Sequence, residues 1–142
     1  MGRFSHEALD AAQQPLERVV YTAMSKNFFY MRLFVSKFVL ECGAVPLNPF
    51  TAFDYFMLDT VDRNIIRRGN NTLVQRADEI WTFGDISDGV LAEMIQAHRQ
   101  KKPVKHFALD ANKQFQTIEA ALLVFEHDIA EQKQLYIDKF VK

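Results

Sequence analysis

One cysteine, five glycines and four prolines are all that this 142-residue sequence holds of the residues that staple, hinge or break a chain. The lone Cys42 cannot close an internal disulfide, and its place at the end of an apolar helical pattern predicts a buried structural thiol. No G-x-G-x-x-G follows the first apolar run, where Tyr21-Thr22-Ala23-Met24-Ser25 has no glycine, so dinucleotide binding through that fingerprint is disfavoured. The phosphate loop G-x-x-x-x-G-K-[ST] and the nucleophile elbow G-x-S-x-G are absent as well. His6, His98, His106 and His127 are not spaced as metal-ligand pairs, and His98 reads as a core-edge residue; neither a metal nor any other cofactor is expected. Charge of one sign is missing too: seventeen basic against eighteen acidic residues leave a net charge of -1, with no basic run to track a nucleic-acid polymer. No apolar stretch approaches the ~20 residues that span a bilayer, and Met1 to Arg18 lacks the basic-then-apolar layout of a signal peptide. A soluble, cytoplasmic protein with no membrane partner is expected, one that never uses the glycosylation sequon spelled by Asn70-Asn71-Thr72.

What the sequence does hold is 49% hydrophobic and 13% aromatic residues, ample for a layered core in one domain over residues 1–142. Residues 1–17 carry only a weak helical signal, Ser5 to Ala12, stopped before Pro15, and are expected as a loosely attached arm. Arg18 to Ala23 is a β-branched run suited to a buried first strand. Ser25 caps a long pattern from Lys26 to Cys42, whose narrow polar face predicts a helix buried on most sides, ended by Gly43. Ala44-Val45-Pro46-Leu47 reads as a second strand and Asn48-Pro49-Phe50-Thr51 as a turn. From Ala52 to Arg68, one helix or two carry more large apolar side chains than a single inward stripe can use. That excess, richest from Phe53 to Leu58, predicts a subunit interface and a homodimer or higher homo-oligomer. Gly69-Asn70-Asn71 reads as a turn, Thr72 to Arg76 as a helical turn, Ala77 to Phe83 as a central strand, and Lys102 to Leu109 as a fourth. Phe115 to Ile118 suggests an edge strand, and Ala120 to Phe140 a closing helix. The alternation implies a three-layer αβα domain of the flavodoxin or Rossmann-like kind, with a parallel sheet of four to five strands in the order 2-1-3-4-5.

The stretch that organises the rest is Ala77 to Ala97, an apolar strand that ends in Gly84, crosses a polar turn and enters a helix at Ser87-Asp88-Gly89. In an open α/β sheet such a handover is where ligands bind. Val90, Leu91, Met94, Ile95, Ala97 and His98 share the inward face of that helix, and Glu93 falls at its border, able to be part-buried and still reach the loop. Taken alone, Glu93 is either an ordinary glutamate near a helix start, where the macrodipole welcomes it, or a functional carboxylate.

Tyr21-Thr22-Ala23, Gly43-Ala44-Val45-Pro46, Ala77-Asp78-Glu79-Ile80-Trp81, Ser87 to Met94 and Lys102-Pro103-Val104 together resemble the nucleoside 2-deoxyribosyltransferase-like superfamily, over roughly Val19 to Leu109. The resemblance implies that Glu93 is a nucleophile, attacking C1′ of a sugar to give a glycosyl-enzyme ester that a nucleobase or water resolves. It implies that Tyr21 orients that nucleophile, where the residue by itself reads equally as a core tyrosine, and that Gly89 lets a sugar approach the backbone. The sequence departs from the family where acids serve base recognition: one region is Asn70-Asn71-Thr72, and the other offers Ser87, with Asp88 beside it and Asp85 further up the loop. Asp88 is either a substitute proton donor or a helix cap. The candidate catalytic set is Glu93, Asp88 and Tyr21, and the candidate substrate-binding set Gly89, Ser87, Asp85, Gly84, Ser25 and Asn48. Ser25, at the amino end of its helix, is the one place offered for an anion.

The function so implied is cleavage or transfer of the N-glycosidic bond of a small-molecule nucleoside or nucleotide. The alternatives are a non-catalytic nucleotide-binding module of the same fold and an NAD glycohydrolase.

Overall fold

The structure, a computed structural model, describes residues 3–141, the side chain of Leu58 excepted. Five strands, β1 (Val19–Met24), β2 (Val45–Leu47), β3 (Glu79–Phe83), β4 (Val104–Leu109) and β5 (Phe115–Ile118), form one sheet in the expected order β2-β1-β3-β4-β5. The first four are parallel and β5 is antiparallel to β4, so the sheet is mixed where an all-parallel one was expected. A tight turn explains the reversal: the Asp110 carboxylate accepts from the backbone N–H groups of Asn112 (2.8 Å) and Gln114 (3.0 Å), leaving no room for the crossover that a parallel neighbour needs. Pro46 is tolerated because β2 is an edge.

Side chains alternate across the central strands and so split the core in two. Tyr21, Ala23 and Ile80 point to one face, where they pack with residues of α4 (Arg63–Arg76), α5 (Asp88–Arg99) and α6 (Gln132–Phe140). Val20, Met24, Trp81 and Phe83 point to the other, covered by α2 (Arg32–Glu41) through Val35, Val39 and Phe38. The Phe38 ring lies 5.2 Å from Phe107 and 5.3 Å from Phe115, centre to centre. Helices thus lie on both sides of the sheet, and the fold is α/β in three layers. Two further short helices complete the set, α1 (Glu7–Ala11) in the arm and α3 (Pro49–Ala52) after β2. Residues 3–18 are exposed throughout. No helix among the described residues is long and apolar enough to cross a membrane.

Four local expectations are corrected. The pattern from Lys26 to Cys42 splits into a 3-10 turn, Lys26–Met31, and α2, which buries only Val35 and Val39. Leu33, Phe34 and Leu40 are exposed because no layer lies above this helix among the described residues. Cys42 is exposed too, since it sits at the cap, past the last inward position. Gly43 behind it takes φ +80°, and the N–H groups of Gly43 and Ala44 donate to Leu40 and Val39 as in a Schellman cap. Next, Gly69-Asn70-Asn71 is not a turn but the middle of α4, where Gly69 admits the Phe53 ring; a Cβ there would stand 2.8 Å from Phe53 Cζ. Finally, the span from Ala120 to Phe140 is not one helix. It holds 3-10 turns at Ala120–Leu122 and His127–Ile129 and an extended strap between them, with α6 only at the end. Leu123 and Phe125 are buried and Val124 is exposed, the period of a strand.

The apolar excess before α4 is divided. Tyr55 stacks on Phe29 at 3.9 Å and Phe53 lies under Gly69, whereas Phe56 and Met57 are exposed; the side chain of Leu58 lies outside the described residues.

Candidate functional site

Strand β1 leads through its helix to β2 on one side, and the chain then returns to β3 on the other, so β1 and β3 flank the point where the winding reverses. Two loops diverge from their carboxyl ends and leave a crevice. One starts at Ser25; the other runs from Gly84 to Ser87 and starts α5. Ser87 is the N-cap of α5, its Oγ accepting from the N–H of Val90 at 3.3 Å. Asp88 is therefore not the cap: it is exposed, and its Oδ1 accepts from the N–H of Gly89 at 2.7 Å.

One turn further, Glu93 stands at the border of the buried stripe made by Val90, Leu91, Met94 and Ala97. It faces a cleft of about 770 Å³ that Ser25, Ser87, Asp88 and Gly89 also line. Behind it, Tyr21 is fully buried with its ring in the core, and its hydroxyl donates to Glu93 Oε2. Burial raises the Glu93 carboxyl from 4.5 to about 7, against the opposing effect of the Tyr21 hydrogen bond. Tyr21 is raised well above its ordinary value, by burial first and then by the charge and hydrogen bond of Glu93. Near neutral pH, then, a carboxylate between its two protonation states faces a hollow of ligand size.

Three other expected residues are elsewhere. Gly84 and Asp85 line a neighbouring cleft of about 940 Å³, beside Phe28 and Tyr30. Gly84 serves the turn, with φ +78° and the Phe28 ring so near that a Cβ would lie 3.2 Å from it. Asn48 is buried and caps α3, accepting from the N–H of Phe50 at 2.9 Å while its amide contacts Met24 Sδ. Ser25 is not free to hold an anion, because its Oγ donates to Glu126 Oε2 at 2.7 Å.

Glu126 is a residue that sequence reasoning missed. The strap carries it there: the N–H of Ile86 donates to Val124 O and the N–H of Glu126 donates to Ile86 O, both at 2.9 Å. Its carboxylate lines both clefts, as does Asp128. Also missed is the inner face of α4, where Arg63, Ile66, Arg67, Asn70 and Asn71 line the Glu93 cleft at spacings of three and four. That periodicity was present, but Gly69-Asn70-Asn71 read as a turn concealed it. His98 lies away from this site, its Nε2 2.6 Å from the Tyr136 hydroxyl and its ring stacked on Phe140. Among the described residues no three or more His, Cys, Asp and Glu are grouped to hold a metal ion.

Comparison with known structures agrees with this architecture. The fold is similar to that of the 2-desoxiribosyltransferase from Leishmania mexicana, with a TM-score of 0.51 and 14% identity over 87% of this chain and 99% of that one. At that identity the likeness is one of fold, and the class is an α/β domain of deoxyribosyltransferase-like fold. The family model for a domain of unknown function, DUF7768, matches residues 20–107, and the chain belongs to that family. No curated protein matches the sequence.

Proposed function

We propose that this protein breaks or exchanges the N-glycosidic bond of a nucleoside-type small molecule, with Glu93 as the nucleophile. The observation that carries the reading is the half-buried Glu93 carboxylate, bonded by Tyr21, at the wall of the cleft beside the carboxyl ends of β1 and β3. Perturbed carboxylates in clefts are enriched at functional sites, and Glu93 is one. The similarity of fold to the 2-desoxiribosyltransferase from Leishmania mexicana supports the same reading.

The chemistry balances with the groups at hand. As a Glu93 oxygen bonds to C1′, the C1′–N bond breaks and its electron pair goes to the base nitrogen, which takes a proton. Asp88 and Glu126, both on the cleft, are the proton donors on offer. Water or a second base then attacks C1′, and the carboxylate leaves. Gly89 bears on the approach of the sugar, since a Cβ built on it would meet nothing within 4 Å and would project into open space.

The test is base release from a panel of deoxynucleosides, their 5′-monophosphates and NAD, followed by chromatography. Glu93→Ala and Glu93→Gln are expected to lose on the order of 10⁴-fold or more in rate, the scale on which removal of a nucleophile acts. Turnover surviving in both variants overturns the assignment. Nucleotides that raise the melting temperature without being cleaved by the native chain would replace it with a binding module; Asn70 and Asn71, amides at the cleft where the related pattern carries an acid, are what favour that second reading.

A further inference from the structure

The Glu93 cleft is lined by groups of both signs, and they come from different elements. Glu93 and Asp88 belong to α5, and Glu126 and Asp128 to the strap and the turn after it. The cations are Arg63 and Arg67 on α4 and Lys26 at the start of the first 3-10 turn. No carboxylate lies within ion-pair distance of these three cations among the described residues, where the ion pairs formed are both made by Glu79, with Arg18 and Lys105. The Arg67 guanidinium donates to Asn64 Oδ1 of its own helix at 3.1 Å and to no other side chain among the described residues. Two arginines four residues apart share a helix face and repel, so α4 carries an arrangement that is unfavourable until an anion joins it. Asn70 lies on the same face and also lines the cleft; its Oδ1 has no hydrogen-bond partner among the described residues, but it is shut off from solvent and does not face the cleft.

We infer that Arg63, Arg67 and Lys26 form a phosphate subsite opposite Glu93, so that the substrate is a phosphorylated nucleoside and not a neutral one. The inference rests on the N-glycoside reading for what happens at Glu93, but the subsite can be tested apart from it. Guanidinium groups meet phosphate oxygens through paired N–H donors, and a planar fork at each of two neighbouring positions suits a group with three terminal oxygens. With the phosphate held on α4, the acidic walls are left to the sugar and the leaving base. The subsite replaces the one that Ser25 suggested, since that hydroxyl is committed to Glu126.

The experiment compares a deoxynucleoside with its 5′-monophosphate on the native chain, on Arg63→Gln/Arg67→Gln and on Arg63→Lys/Arg67→Lys. Both arginines are exposed, so the fold should tolerate the changes. The native chain is expected to prefer the monophosphate in kcat/KM by roughly 10- to 100-fold, the scale of charge-assisted hydrogen bonds, with most of the preference lost in the glutamine variant and part kept in the lysine one. Inorganic phosphate is expected to compete with the monophosphate; if it instead accelerates cleavage of the neutral nucleoside, phosphate is an acceptor and the phosphorylated-substrate assignment is overturned. Equal use of both substrates, unaltered in the variants and indifferent to phosphate, overturns the subsite and leaves the N-glycoside reading standing. Arginine-dependent binding of the monophosphate to Glu93→Gln, seen by calorimetry with no turnover in the native chain, upholds the subsite and removes the glycosidic reading.

Discussion

Two forces act on the Glu93 carboxyl in opposite directions. Burial favours its neutral form, the Tyr21 hydroxyl favours its charged form, and burial wins, so that the group titrates at about 7. A nucleophilic carboxylate must be ionised, so activity should rise as pH climbs through about 7 and level off above it. Tyr21→Phe deletes the one contact that lowers the Glu93 value, and Glu93 must then hold its proton to higher pH. If Tyr21 positions the nucleophile, this variant should shift the rising limb of the kcat/KM profile to higher pH as well as lowering its plateau. A packing role alone would leave the limb where it is, because the phenylalanine ring fills the same space in the core. Measured profiles that superimpose after scaling would therefore dismiss the tyrosine from the chemistry.

At the scale of elements, two glycines with equally empty surroundings should behave in opposite ways. A Cβ on either Gly43 or Gly89 would meet nothing within 4 Å, but Gly43 ends α2 at φ +80° whereas Gly89 opens α5 without a positive φ. Gly43→Ala is expected to destabilise by about 1 kcal/mol through backbone conformation alone. Gly89→Ala should leave stability unchanged or raise it by about 0.5 to 1 kcal/mol, since alanine is the better helix former. If a sugar passes against Gly89, the same variant should bind substrate less well in spite of its stability; intact affinity would show that the ligand does not use this turn. Elements were legible in the sequence where one residue type had one use. The strands, the Ser87 start of α5 and the Gly43 stop are of that kind. They were misread where a residue type serves two. Gly69 admits the Phe53 ring inside a helix and looked like a turn, and the alternation of the strap was hidden because Leu123, Val124 and Phe125 are all apolar.

For the molecule as a whole, the site was legible to the extent that it is local. Glu93, Asp88 and Gly89 fall within two turns of one helix, but Glu126 reaches the cleft only because the strap pairs with Ile86, a contact 39 residues away in the chain that no local pattern announces. A second buried group, His106, was also passed over, and with Glu93 it sets the pH dependence of stability. His106 is buried on β4 against the Thr82 hydroxyl, at 2.7 Å; burial, with a smaller effect from His98, lowers it from 6.5 to about 4. Its lowered value means that stability is whole above about pH 6.5 and is lost as pH falls towards 4, because the unfolded chain takes up the proton first. Glu93 has the reverse sign: its raised value means that stability is whole below about 4.5 and is lost as pH rises towards 7, because the unfolded chain releases the proton first. At about 1.4 kcal/mol for each tenfold change, each effect amounts to at most about 3.5 kcal/mol. Between about pH 4.5 and 6.5 the two slopes oppose each other, so their sum should be nearly level in the native protein. Glu93→Gln should remove one slope and leave a protein that weakens steadily as pH drops from 6.5, yet is more stable than the native chain at pH 8. His106→Gln should leave the other slope, with stability falling as pH rises from 4.5 to 7. Urea unfolding at half-unit pH steps reads both, and curves that run parallel for the native chain and Glu93→Gln would mean that Glu93 titrates as an ordinary surface carboxylate. The case for a strained group at the cleft would then be lost along with the pH effect, since the same burial underlies both.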